Sequence, residues 1–202
     1  ALAAVRELAP SAQATLLGRS DRVDIASAAM LNGITSHTFD YDDTHLRTII
    51  HPAGPVASAA LAVAEHTGAG GRQLVDAVVL GIDVACRVGN VVYPDHYDRG
   101  WHITGSTGML GAAAASSRLL GLDAQRTAMA LGIAASQPIG VRERFGSMTK
   151  PFLVGGAARA GLMSALMARH GYTSSVRALE EPSGLLQTFS TKCAWGEIAD
   201  EL

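Results

Sequence analysis

Proline and glycine cut this chain into apolar stretches of helical length, and that punctuation limits the fold more than any other feature. Pro52 and Pro151 stand where apolar runs begin. Proline suits a first helical turn because the N–H it lacks would have no helical partner there. Pro10, Pro94 and Pro138 stand where runs end, as do Gly68, Gly70 and Gly71, Gly121 and Gly171; glycine accepts the left-handed backbone that closes a helix. Asp24 and Asp123 precede runs and offer carboxylates to the unpaired N–H groups of a first turn. The pattern predicts helices over about 1–8, 25–39, 52–66, 72–91, 105–120, 124–136 and 151–170, about seven in all. Residues 12–18 read as a short extended segment. Residues 40–50 and 140–148 read as loops, as does a segment carrying His96 and Trp101. A mixed tail, 172–202, holds a short helix near 175–179.

What fills the helices narrows the architecture further. Alanine is abundant, glycine numbers 22 and aromatic residues make up only 5%. Small residues let helix axes approach, whereas a β-sandwich draws on β-branched and aromatic side chains. The expected fold is all-α, a multi-helix bundle in a single domain spanning 1–202, with no sheet. Apolar residues at 48% supply a core, and 17% charged residues are too few for a disordered chain. A net charge of -2, with Lys and Arg scattered, gives no reason to expect nucleic acid or an anionic membrane as partner. The longest apolar stretch, 74–92, contains Asp76, Asp83 and Arg87, which are costly in lipid. Cys86 and Cys193 lie far apart and match no metal or disulfide spacing, as expected of reduced thiols in a cytoplasmic protein. The chain opens on Ala1 without an initiator Met, a charged start or a signal-peptide cleavage site. It is therefore expected to begin inside a longer protein.

Three predicted helix starts carry a basic residue: His51 before Pro52, His102 shortly before Gly105, and Lys150 before Pro151. A helix N-terminus carries unpaired N–H groups and partial positive charge, so three of them converging would hold a polycarboxylate. Taken singly, a histidine ahead of a helix is most often a solvated or core side chain, and a lysine a surface one. Asp40-Tyr41-Asp42-Asp43-Thr44-His45 gathers three carboxylates in four positions. It lacks the glycine and distal glutamate of a calcium loop, and no metal is expected there. One partly buried Asp could instead serve as a base or orient a histidine. Ser106 and Ser136 are not in a nucleophile elbow, and Gly105-Ser106-Thr107-Gly108 lacks the Gly-Lys ending of a phosphate loop. Gly108 and Gly111 are read as helix contacts, Trp101 as packing, and His37, His45, His66, His96 and His170 as structural or surface residues.

Four blocks of the sequence resemble the MmgE/PrpD family. They are Asn32-Gly33 with Ser36 to His45 and His51-Pro52; Gly100-Trp101-His102 with Thr104, Gly105, Thr107, Gly108 and Gly111 to Ala115; Leu131 to Gln137; and Thr149-Lys150-Pro151 with Gly155 to Gly161. The blocks keep the family's order and similar gaps over about residues 22–190, and together they are specific. The resemblance implies a large helical domain, with further helical sequence before it and a smaller α+β lid domain after it, neither contained in this chain. It implies a lyase or isomerase of the 2-methylcitrate dehydratase, cis-aconitate decarboxylase or iminodisuccinate epimerase kind. Such an enzyme acts on a small di- or tricarboxylate without metal or organic cofactor, as a homodimer. It places Asp40, His51, His102 and Lys150 at catalytic positions, with Asp43, Thr44 and Lys150 as substrate-binding positions. The implied chemistry is proton transfer at carbon beside a carboxylate. Lys150 would clamp a carboxylate, His102 would act as general acid or base from a pKa near neutrality, His51 would assist, and Asp40 would orient a histidine. Dehydration is the first expectation and epimerisation the second; an inactive dimerising module is a third reading.

Overall fold

The structure, a computed structural model, describes residues 1–8, 10–137 and 140–199. The fold is all-α, as the punctuation predicts. Nine α-helices are found among the described residues: α1 (Leu2–Arg6), α2 (Ile25–Ser36), α3 (Ala53–Thr67), α4 (Gly71–Val92), α5 (Asp95–Asp98), α6 (Ile103–Leu119), α7 (Ala124–Ala135), α8 (Thr149–Arg169) and α9 (Leu185–Phe189). Pro138, expected to stop α7, lies outside the described residues. The local signals act as their chemistry dictates. The Asp24 carboxylate accepts the Ser27 N–H at 2.9 Å and the Asp123 carboxylate that of Arg126 at 2.8 Å. Gly68 closes α3 at φ 70°. Removing the first of these caps, Asp24→Ala, is expected to lower stability by about 1 kcal/mol, read as a lower urea midpoint with an unchanged m-value.

Four details differ from the sequence reading. The extended segment pairs into a two-stranded antiparallel ribbon, β1 (Ala14–Thr15) with β2 (Arg22–Val23). The Glu65 carboxylate accepts the Thr15 N–H and hydroxyl and pairs with Arg22, tying the ribbon to α3. His96 sits in α5 rather than in a loop and is fully buried. The tail helix forms at Leu185–Phe189, where Leu185, Leu186 and Phe189 pack against α4 and α6 residues. Residues 176–180 only turn: Val176 and Arg177 are exposed, and Leu179 packs on the core cluster only in part. Finally, α2 ends at Ser36, three residues early, as the chain turns into the acidic segment.

The bundle is built around α6, buried from Ile103 to Ser117 and packed by α3, α4, α7 and α8. Such a helix must be apolar or small all round, and Gly111 to Ala115 supply that. Glycines set the spacing. A Cβ on Gly111 would stand 2.4 Å from the Gly81 carbonyl oxygen of α4, and one on Gly108 would stand 2.4 Å from Pro55 of α3. A Cβ on Gly155 of α8 would meet the Met30 carbonyl of α2 at 2.2 Å. Backbone therefore lies on backbone where α6 crosses α4 and α8 crosses α2, while at Gly108 a proline ring fills the space. Among the described residues, α8 is long and apolar enough to cross a membrane, but most of it is buried in the bundle, as expected of a core helix.

Candidate functional site

The N-terminal ends of α3, α6 and α8 meet at one place, with the C-terminal end of α2 opposite. His51 precedes α3 and its N–H donates to the Thr104 hydroxyl in the first turn of α6 at 3.1 Å. His102 is the N-cap of α6. Lys150 lies inside the first turn of α8, not before it, because the helix begins at Thr149 and takes in Pro151. The segment after α2 brings Asp40 to all three, with Asp40 itself at φ 55°, a left-handed conformation that Asp tolerates better than most residues. Asp40 Oδ2 lies 2.6 Å from Lys150 Nζ, and Asp40 Oδ1 lies 3.8 Å from His51 Nε2. The ammonium beside it, through a direct hydrogen bond, holds the Asp40 carboxyl below the usual range. The four residues that the family resemblance implies as catalytic positions thus form one cluster.

Asp43 and Thr44 occupy its edge. The Asp43 carboxylate accepts the Ala53 N–H at 3.2 Å and so caps α3, while burial raises its pKa. Thr44 Oγ1 lies 3.4 Å from His51 Nδ1. These contacts revise the helix-end argument. The Ala53 N–H is taken by Asp43, the Gly105 N–H by His102 Nδ1 at 3.3 Å and the Thr149 N–H by Ser147 Oγ at 3.3 Å. Side-chain donors and the helix fields, not bare N–H groups, are what an anion would meet.

Two residues passed over in the sequence complete the cluster. His37, the C-cap of α2, is fully buried, and its ring lies 4.9 Å from that of His51 and 6.4 Å from that of His102. Its Nδ1 sits 2.8 Å from Asp42 Oδ2, and the other Asp42 oxygen sits 3.3 Å from His51 Nδ1. Asp42 therefore stands behind both rings. The available signal was position: His37 shares the α2 face of Ala26, Ala29 and Gly33. Without the return path of 40–50, that face reads as core. His37, Asp40, Asp42 and His51 each offer a donor atom, and these atoms lie within 4.8 Å of one another. Of the other histidines, His45 bonds Thr48 at 2.7 Å, while His66 and His170 are exposed. Trp101 stacks with His96 and packs on Phe189.

A cleft of ≈ 590 Å³ opens onto the cluster, lined by His37, Asp40, Phe145, Met148 and Lys150 among others. That is room for a small organic acid. Phe145 stands edge-on to His102 at 5.6 Å, with Lys150 Nζ 5.1 Å from its ring centre.

His102 does not titrate near neutrality, contrary to the expectation from its ordinary pKa. Burial, with the nearby His37 and Lys150, pushes its pKa down to about 3. The capping bond points the same way, since Nδ1 accepts from Gly105 and the single proton of the neutral ring must sit on Nε2. The buried His96 is likewise pushed down to about 4, chiefly by burial. Both rings stay neutral when folded and gain a proton on unfolding below their ordinary value of 6.5. The stability they provide is complete above that pH and falls as the solution is acidified toward the folded values. His96→Leu is therefore expected to lose about 2 kcal/mol less than the parent between pH 7 and pH 5, measured by urea unfolding. Identical losses would overturn the assignment.

Comparison with known proteins gives this geometry a context. The model of the MmgE/PrpD N-terminal domain matches residues 1–197. The cis-aconitate decarboxylase-like protein oryM of Aspergillus oryzae is 34% identical over 198 residues, covering 94% of this chain and 41% of that protein. The cis-aconitate decarboxylase of Aspergillus terreus is 30% identical over 189 residues, 90% of this chain and 39% of its own length. The human cis-aconitate decarboxylase is 32% identical over 177 residues, 84% of this chain and 36% of its own length. The chain thus spans about two fifths of these relatives. With that family model covering nearly the whole chain and the helical bundle that goes with it, the chain belongs to the MmgE/PrpD family.

Proposed function

We propose that this chain forms the helical part of a lyase that moves a proton at carbon beside a carboxylate in a small tricarboxylate. The observation that carries the reading is the cluster of Lys150, Asp40 and His51 with the neutral His102 close by, beside a cleft that Asp40 and Lys150 line. Among the family's reactions, decarboxylation of a cis-aconitate-like acid takes precedence over the dehydration first expected, because relatives over most of the chain carry that name. In such a step the bond to one carboxylate breaks and CO₂ leaves. The electron pair spreads into the unsaturated carboxylate beside it, and a proton is delivered to carbon. The pair is costly unless cationic and donor groups meet it as it forms.

Each residue then has a role set by its surroundings. Lys150 is the only ammonium in the cluster and pairs with the substrate carboxylate alongside Asp40. His102 presents Nε2–H as a neutral donor to a carboxylate oxygen; with Nδ1 held by Gly105, it is not the general base. His51, backed by Asp42 and Thr44, carries the proton. Asp43 supports the site by capping α3 rather than touching substrate. Phe39, Tyr41 and Met148, all strongly exposed near the cleft, are surfaces a covering domain would bury. The homodimer belongs to the same proposal, and sedimentation at the mass of one chain would count against it.

The test is turnover by the full-length protein, followed by NMR with cis-aconitate and 2-methylcitrate as substrates. CO₂ release with new vinylic protons supports the decarboxylase. Loss of 2-methylcitrate with a rise in alkene absorbance and no CO₂ would put the dehydratase in its place. No turnover of either would remove the reading in favour of an epimerase or an inactive helical module. Because His102 also caps α6, His102→Asn is the informative variant: Asn is a good cap but lacks the imidazole. It is expected to keep the melting temperature and to lower kcat by about a hundredfold.

A further inference from the structure

The cluster of His37, Asp40, Asp42 and His51 has a property that carboxylate chemistry does not require. His37 is fully buried, its Nδ1 is 2.8 Å from Asp42, and its Nε2 has no hydrogen-bond partner. That Nε2 points at Asp40 Oδ1, 3.6 Å away. His51 repeats the arrangement: its Nδ1 faces Asp42 at 3.3 Å and its Nε2 faces the same Asp40 oxygen at 3.8 Å. A carboxylate behind Nδ1 places the proton there and leaves a lone pair on Nε2. Two lone pairs, one buried and one half-buried, therefore face one carboxylate oxygen, with a single second carboxylate orienting both rings.

We propose that His37 Nε2, His51 Nε2 and Asp40 Oδ1 form a binding site for a divalent transition-metal ion of the zinc class, with Asp42 as the group that orients both imidazoles. Bonds of about 2.0–2.2 Å to nitrogen and oxygen put tetrahedral ligands about 3.4 Å apart. The observed separations of 3.6 and 3.8 Å need to close by only a few tenths of an ångström. Two imidazoles select zinc, cobalt or nickel over magnesium or calcium, which prefer oxygen alone. Lys150 does not block the site, because it holds Asp40 through Oδ2 and leaves Oδ1. His37 and Asp40 also line the cleft, from which water or a carboxylate can reach the site.

The ion is an occupant of the site and not a requirement of the lyase. Its consequence for turnover rests on the proposed function, while the binding does not. An ion on His51 Nε2 takes the lone pair that proton transfer uses, so zinc is expected to inhibit reversibly. The test uses the full-length protein at neutral pH, titrated with cobalt(II) chloride and then zinc chloride. One equivalent of cobalt is expected to raise visible d–d absorption that zinc abolishes and magnesium leaves alone. His37→Ala and Asp40→Asn are each expected to weaken cobalt binding by at least about tenfold. His170→Ala, which removes an exposed histidine outside the cluster, leaves it unchanged. Asp40 is half exposed, so its variant decides the matter if His37→Ala fails to fold. No cobalt band, or a band unmoved in Asp40→Asn, overturns the proposal. Binding without inhibition upholds the site and removes His51 from the proton transfer.

Discussion

Lys150→Met in the full-length protein is expected to lower kcat/KM by on the order of 10²–10³-fold while leaving the melting temperature nearly unchanged. The two halves of that expectation have different causes. Under the proposed function Lys150 supplies the ammonium that a substrate carboxylate would meet, and no other lysine or arginine lines that cleft among the described residues. Removing a positioned charge from a partly closed site costs far more than removing a surface one. Its ion pair with Asp40, by contrast, contributes little to folding, because the Asp40 side chain is 52% exposed and water screens it. Met keeps the length and apolar body of the side chain beside Phe145. A loss below fivefold, measured at saturating and limiting substrate, would remove Lys150 from the site chemistry. A large fall in melting temperature would mean that the activity loss reports unfolding.

Gly161→Val is expected to cost about 3 kcal/mol or more, a large part of the stability of an ordinary domain. A Cβ at that position would lie 2.4 Å from the Met109 carbonyl oxygen and 2.6 Å from both the Ala112 Cβ and the Ala113 nitrogen. Two of those atoms are helix backbone and cannot turn aside as a flexible side chain would. Relief requires α8 to move off α6, which opens the packing along the most buried helix of the bundle. The matched control is Gly71→Ala at the start of α4, where nothing lies within 4 Å. There the substitution is expected to be neutral or slightly stabilising, since alanine loses less backbone freedom on folding. Urea unfolding of both variants checks the contrast; equal stabilities would mean that the helices do not lie as close as described.

Local chemistry explains which parts of this molecule the sequence discloses. Asp24, Asp123, Pro52 and Gly68 act on backbone groups three or four residues away, so their effects can be read without the fold. The convergence of His51, His102 and Lys150 was suggested by charge at helix starts, and the family motif reinforced it. His37 was not legible, because its role depends on residues 40–50 folding back over the end of α2. The turn at Asp40 that permits this has no strong sequence marker. His102 was named, but its expected pKa near neutrality does not hold, since burial and the nearby His37 and Lys150, brought together only by the fold, push it down. The shift of the tail helix from 175–179 to α9 has the same origin: Leu185, Leu186 and Phe189 are buried in a core cluster that Leu179 reaches only in part, while Val176 stays exposed.

The glycine crossings also bear on how accurately the clustered side chains are held. Side chains usually separate helices, and their rotamers act as springs that let one helix breathe against the next. Where Gly33 and Gly155 bring α2 onto α8, and Gly161 brings α8 onto α6, that compliant layer is missing. Those three helices carry His37, Lys150 and His102 at their ends. The positions of the three groups are then inherited from main-chain contact one to three turns away, with little slack to average over. A catalyst that has to meet a short-lived electron pair gains from groups that do not need to reorganise first. In this bundle the smallest side chains, at helix crossings outside the cluster, are the ones that set that tolerance.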